Sequence, residues 1–319
     1  MESVSIKRGR KISSHQTIKS RKRQDTIQLY LIILPVLIHI FIFHYIPMYG
    51  IVIAFQDYFP GNSFISFDGS VKWVGLKHFR KFITGPYFGR LFRNTFTLSF
   101  YLFLFGFWVP IVYALLINEV KDSFFKKFVQ TASYLPYFIS MVVVAGMVVS
   151  FINTDGILNS IIKVFGGTPK PFSTDPKYFA KIYTITNIWK SFGWNSILYL
   201  STISGIDPSL YEAARIDGAS RFKQALYITI PSIVPTIVIL LIFAIGRLLS
   251  ANTEFILLLY NPAIYERADV IGTYVYREGL MSGNFSSGTA IGLFTSLINF
   301  ALLYAANAIS RKYTEYALW

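Results

Sequence analysis

The chain has 319 residues, of which 53% are hydrophobic, 18% aromatic and only 14% charged, with a mean hydropathy of +0.48 and a net charge of +14. About a quarter of the residues of a soluble domain are charged, so this chain has too few to coat a water-facing surface and reads as a membrane protein. It has no cysteine, which excludes disulfides, thiolate catalysis and cysteine-ligated metals.

In chain order, the first feature is a basic tail, residues 1–24, with eight Lys/Arg in KRGRKISSHQTIKSRKR. It stands just ahead of an apolar run, which suits a cytosolic membrane face and its anionic lipids rather than nucleic acid, and a disordered, solvated tail fits equally well. The run from Ile27 to Phe55 is too long for a signal-peptide core and has no small-residue cleavage site, so it reads as a retained first span. A crossing takes about 20 mostly apolar residues. Six segments meet that length: 27–54, 93–117, 128–152, 178–203, 229–250 and 288–309. The expected fold is therefore all-α and polytopic, with six transmembrane helices and residues 25–319 as one domain. Lys/Arg in the tail favour cytosolic termini. Segments 118–127, 204–228 and 310–319 are then cytosolic, and 55–92, 153–177 and 251–287 face outward. In the last span, Gly288, Gly292 and Ser296 share a face suited to close helix contact.

Segment 204–230 contradicts the lipid-like character of its neighbours. It contains YEAARIDGAS, a small charged helix with Asp207 or Ser209 as cap, Pro208 in the first turn and Gly218 free to bend. A short helix pair in a loop has no core of its own and needs a partner to bury it. The segment resembles the EAA loop of binding-protein-dependent ABC importer permeases. Glu212, Ala213, Ala214, Gly218, Ile228 and Pro231 fall on that pattern, and Ile230 stands where leucine is usual. GIDPSLYEAARIDGASRF is similar to carbohydrate-type permeases. LLLYNPAIYERADVIGTYVYREGL and the terminal Leu-Trp are similar to importers of complex oligosaccharides.

The resemblance implies a type I permease fold and a non-catalytic subunit of an ATP-driven oligosaccharide importer in the bacterial cytoplasmic membrane. Its implied partners are a second permease subunit, two ATPase subunits and an extracytoplasmic substrate-binding protein. Glu212, Ala213, Ala214, Asp217, Gly218, Ile228 and Pro231 would couple to the ATPases. ATP and Mg would sit on those subunits and no cofactor on this chain, which has no G-x-x-x-x-G-K-[ST] loop. A membrane-embedded glycosyltransferase and an ion-driven secondary transporter are the alternatives.

Polar groups at membrane depth are costly and point to function. Asn187, Lys190 and Trp194 share a helical face, and Arg247 and Glu254, seven apart, would nearly align. With Tyr199, Asn252, Tyr260 and Asn299 they make up the expected substrate pathway, supplying hydrogen bonds and aromatic faces for sugar rings. His39 and His44 are expected to point apart and make no metal pair. Asp269 with Glu278 could form paired carboxylates, and solvated charges account for them equally well. The outer ERADVIGTYVYREGL stretch could meet a binding protein, gate a cavity or pack back against the spans.

Overall fold

A computed structural model describes residues 14–61, 63–64 and 71–319; the basic tail expected at 1–24 lies outside the described residues up to Lys11-Ile12-Ser13. Two compact units divide at Val52 and Ile53. In the first, helix α1 (Ser14–Ile40) runs into a π-helical turn, Phe41–Tyr45. That wider turn brings His39 and His44 to a ring separation of 6.3 Å, so they do not point apart as α-helical spacing implied. No group of three potential metal ligands forms among the described residues.

The second unit is helical, with one isolated antiparallel bridge, Gln56 to Trp73, and no strand among the described residues. Its helices are α2 (Lys77–Ile83), α3 (Phe88–Asn118, with a π-turn at Leu102–Gly106), α4 (Ser123–Phe138), α5 (Met141–Ile152) and α6 (Ile157–Val164). They continue as α7 (Pro176–Ser204), α8 (Pro208–Ile216), α9 (Arg221–Ile245), α10 (Thr253–Leu259), α11 (Tyr265–Ala268), α12 (Ile271–Tyr274) and α13 (Phe285–Tyr313). Five described segments are long and apolar enough to cross a membrane: Thr26–Phe55, Phe88–Asn118, Met141–Val164, Arg221–Ile245 and Phe285–Tyr313.

The third expected span is not continuous, whereas the fourth is. The stretch 128–152 is not one helix. Pro136 lies in the last turn of α4, and Ser140 starts α5 by accepting a hydrogen bond from the Val143 amide at 3.4 Å, so the chain breaks at Ile139. The stretch 178–203 is a single 29-residue helix, α7, whose Lys177, Lys181 and Lys190 make it more polar than the other spans.

Of these only Lys190 lies toward its neighbours, Lys177 and Lys181 being exposed near the start, and α7 is the central helix. Asp175 caps its start by accepting from the Lys177 amide, with Pro176 in the first turn. Near that end Phe179 and Tyr183 join a core with Leu98 of α3 and Phe255, Ile256 and Leu259 of α10. At the other end Tyr199 and Ile203 pack with Ile111 and Ala114 of α3 and Ile233 of α9. So α3 and α7 run parallel, and α9 runs against them. α4 also runs antiparallel to α7. It approaches so closely that a Cβ on Gly193 would overlap the carbonyl of Ser133.

The loops sort to two ends of this unit. At one end His78 meets Ser287 at 3.2 Å, Arg90 meets Asp269 at 2.7 Å, and the Asn261 amide donates to the Ser173 carbonyl at 3.2 Å. These contacts join all three loops expected to face outward. At the other end Arg221 donates to Glu119, which joins two of the segments expected to be cytosolic. In α13, Gly288 does make a close contact, with Gly279, but Gly292 faces open space, so only half of the expected small-residue stripe is used.

Candidate functional site

The polar segment between α7 and α9 folds by local rules. The Asp207 carboxylate accepts the Ser209 amide at 2.9 Å, and this bond holds its pKa below the usual carboxylate range. Pro208 then opens α8. The helix ends in a Schellman turn: the Ala219 amide donates to the Ala214 carbonyl at 2.8 Å and the Gly218 amide to the Arg215 carbonyl at 3.1 Å. The turn requires a left-handed residue, and Gly218 supplies φ +74°. Nothing lies within 4 Å of the place a Gly218 Cβ would occupy, so this glycine serves the bend and not a close approach within the chain. Ser220 then caps the first turn of α9 through the Lys223 amide.

Glu212, Ala213 and Asp217 are exposed, Ala214 and Ile228 half-buried, and Pro231 opens the apolar part of α9. Beside them Ile216, Phe222 and Tyr227 are 87%, 78% and 72% exposed. Tyr211 and Thr229, sharing a 2.9 Å hydrogen bond, brace α8 against α9. The result is a stiff helix pair presenting an uncovered apolar surface rimmed by charge.

The expected pathway residues divide into three groups. Asn187, Lys190 and Trp194 do share a face of α7, but each is engaged. The Lys190 ammonium donates to the carbonyls of Pro136, Tyr137 and Ile139 at 3.2, 2.8 and 2.6 Å. It thereby satisfies the open end of α4 with a cation. Trp194 stacks on Tyr137 with 4.6 Å between centroids and 4° between planes. Asn187 accepts from the Asn252 side chain at 2.9 Å.

The second group surrounds a break in the fifth span. α9 ends at Ile245 and not near 250, and α10 begins at Thr253. Arg247 therefore lies in the turn between the two helices and Glu254 in α10, so the two share no helical face, and they form no ion pair with each other. Side chains satisfy the freed backbone. Asn299 accepts the Leu249 amide at 3.1 Å and donates to Ser250 at 2.9 Å. Tyr183 accepts the Asn252 amide at 2.7 Å, and the Asn252 side chain caps Phe255. Broken backbone at membrane depth persists only where protein groups or a wet cavity satisfy it.

The third group is engaged away from that break. Tyr199 is buried in the core with Ile111 and Ile233. Tyr260 donates to Asp269 at 2.8 Å in a network of the outer segment. Asp269, fully buried, also accepts from Arg90 at 2.7 Å, Thr273 at 2.9 Å and Arg277 at 3.3 Å. Burial pushes its pKa up, but the bonds from Arg277, Tyr260 and Thr273 outweigh it and hold the carboxyl below its ordinary range. The carboxylate is thus an anchor and not half of an acid–base pair, since Glu278 bonds instead to Asn284. Asn94 adds bonds to the carbonyls of Glu266 and Asp269, both at 2.9 Å. The ERADVIGTYVYREGL stretch therefore packs back on α3 through its centre and leaves Glu266, Arg267 and Tyr276 outside. Arg90, Asn94 and Tyr183 were absent from the expected residues because their partners lie far away in the chain.

The chain's relatives agree with this architecture. The family model for the binding-protein-dependent transport system inner membrane component matches residues 85–315. The chain is 44% identical over 292 residues to the polygalacturonan/rhamnogalacturonan transport system permease protein YteP of Bacillus subtilis (strain 168), covering 91% of this chain and 90% of that one. It is 39% identical to Protein LplB of the same organism, covering 91% of each. A crystal structure of a bacterial ABC transporter involved in the import of the acidic polysaccharide alginate superimposes with a TM-score of 0.81 at 41% identity, over 94% of this chain and 99% of that chain. YteP is named a permease and the solved structure an ABC transporter, and neither is named a glycosyltransferase or an ion-driven carrier. The chain belongs to the inner membrane components of binding-protein-dependent transport systems and is a non-catalytic ABC importer permease of the type I fold.

Proposed function

We propose that this permease carries oligosaccharides bearing uronic acids into a bacterial cell. The cargo reading is supported by two relatives: one is named for polygalacturonan and rhamnogalacturonan, the other takes part in import of the acidic polysaccharide alginate. α7 serves as a sixth span, with Lys190 bonded to the α4 carbonyls and Asn187 to Asn252 while Lys177 and Lys181 stand exposed near its start, and both termini are cytosolic. The chain pairs with a second permease subunit and takes cargo from an extracytoplasmic binding protein. Two ATPase subunits bind ATP and Mg and drive the cycle. Asn187, Lys190, Trp194, Arg247, Asn252, Glu254 and Asn299, around the α9–α10 break, are the groups closest to the route.

One observation carries this reading: segment 204–230 is a stiff helix pair whose Ile216, Phe222 and Tyr227 lie uncovered. Apolar surface of that kind at the end of a bundle is a docking surface. The experiment is uptake by proteoliposomes holding the permease pair, the ATPases and the binding protein. Oligogalacturonate accumulates only with ATP inside, and neutral oligosaccharides do not compete. Uptake without ATP, or equal uptake of neutral sugar, overturns the reading.

A further inference from the structure

Helix α4 has two faces. Ser133 and Tyr137 lie against α7, with Ser133 at Gly193 and Tyr137 on Trp194. On the opposite face Phe124, Phe128, Leu135 and Phe138 are 81%, 64%, 62% and 67% exposed. At 3.6 residues per turn these positions form one stripe along the helix.

The stripe changes character at its N-terminal end, where the sequence reads Lys121-Asp122-Ser123-Phe124-Phe125-Lys126-Lys127-Phe128. Both nearby acids are engaged. Asp122 caps the helix through the Phe125 amide at 2.8 Å, and Glu119 accepts from Arg221 at 3.3 Å. Lys121 and Lys127 are exposed and form no ion pair among the described residues. Lys127 borders the stripe, while Lys126 lies half-buried on the α7 side.

Unneutralised cations beside exposed aromatic rings, just past the end of the apolar segment Phe88–Asn118 that is long enough to cross a membrane, match one chemistry. Lysine stems lie along apolar surface and lift their ammonium groups to phosphate, while the rings sit in the acyl boundary. We propose that Phe124, Phe128, Lys121 and Lys127 grip anionic phospholipid headgroups at the membrane surface beside the coupling segment. The Arg221–Glu119 pair ties this anchor to the start of α9, so bound lipid steadies the base on which the coupling helix pair moves. The proposal rests on the sidedness given above only for the choice of leaflet.

The absence of native cysteine allows a direct test. Phe125→Cys takes a single environment-sensitive fluorophore on the isolated permease, which is then assembled into the complex and reconstituted with brominated phosphatidylglycerol or brominated phosphatidylcholine. Both lipids quench the label, and phosphatidylglycerol quenches at several-fold lower mole fraction. Lys121→Gln with Lys127→Gln removes most of this several-fold preference for phosphatidylglycerol and leaves phosphatidylcholine quenching unchanged. No quenching by either lipid means that protein covers the stripe, and an unchanged preference in the double variant means that the lysines do not select the headgroup. Either result overturns the proposal. Quenching is read without transport, so it succeeds or fails independently of cargo and ATP coupling.

Discussion

The Lys190 ammonium lies 2.6 Å from the carbonyl oxygen of Ile139, the residue at which the third expected span breaks. The cation comes from the central helix, and two further carbonyls of α4 share it. It supplies the donors that the break at 139–140 removes from the backbone ladder, so α7 fixes where α4 stops. Hydrogen bonds to a charged group contribute about 1.5–3 kcal/mol. Lys190→Met should therefore lower the thermal midpoint of the detergent-solubilised complex and loosen the α4–α5 junction. Lys190→Arg should recover part of the loss. Unchanged melting of Lys190→Met would show that the carbonyls find other donors.

Gly193 and Gly292 make an internally controlled pair. A methyl group at Gly193 meets the backbone carbonyl of Ser133, which cannot swing aside, whereas one at Gly292 meets nothing within 4 Å. Gly193→Ala should destabilise by about 1–3 kcal/mol through overpacking. Gly292→Ala should be neutral or slightly stabilising, because alanine is the better helix former. Melting of both variants in one detergent is the check, and equal effects would contradict the packing described.

Asp269 predicts a pH dependence of known sign. Its folded pKa lies below the unfolded value, so its contribution is complete above the unfolded carboxylate range and is lost as pH falls through the folded pKa. The outer segment should hold unchanged across neutral pH and release only in strong acid. Asp269→Asn leaves Arg90 and Arg277 without their shared anion. Both guanidinium groups reach water, so the cost is about 2 kcal/mol, below that of breaking a fully enclosed pair. Limited proteolysis between residues 260 and 280 reads both effects. Cleavage of Asp269→Asn no faster than wild type would refute the anchoring role.

Gly218 tests the shape of the segment proposed to couple to the ATPases. Its φ of +74° costs an ordinary L-residue about 1–2 kcal/mol, and space around it is open, so strain and not collision decides the outcome. Gly218→Asn, which tolerates this conformation, should keep ATP-driven uptake. Gly218→Val should lose most of it while the permease itself stays folded. Uptake and melting measured together separate the two, and full uptake by Gly218→Val would show that the turn is dispensable.

The legible parts of the sequence were the ones set by near neighbours. Asp207, Pro208, Ala214 and Gly218 lie within one short stretch, and capping and turn chemistry alone place them. Long-range features were not legible. Lys190 reads as a lone intramembrane charge because its acceptors lie 51 to 54 residues away. Asp269 reads as solvated because Arg90 is 179 residues distant. Helical periodicity also misled wherever the helix stopped being regular. It aligned Arg247 with Glu254 across a break, and it separated His39 from His44 across a π-turn.

The central claim is that ATP-driven motion enters this subunit at the surface around α8. Ile216, the most exposed large apolar residue there, is the place to measure it, and the lack of native cysteine makes Ile216→Cys the single label site in this chain, whose labelling is read on the permease band alone. In inside-out vesicles an impermeant maleimide should label Ile216→Cys rapidly in the permease alone and at least tenfold more slowly once the ATPase subunits are bound. Labelling only in right-side-out vesicles, or at a rate indifferent to the ATPases, would contradict the account.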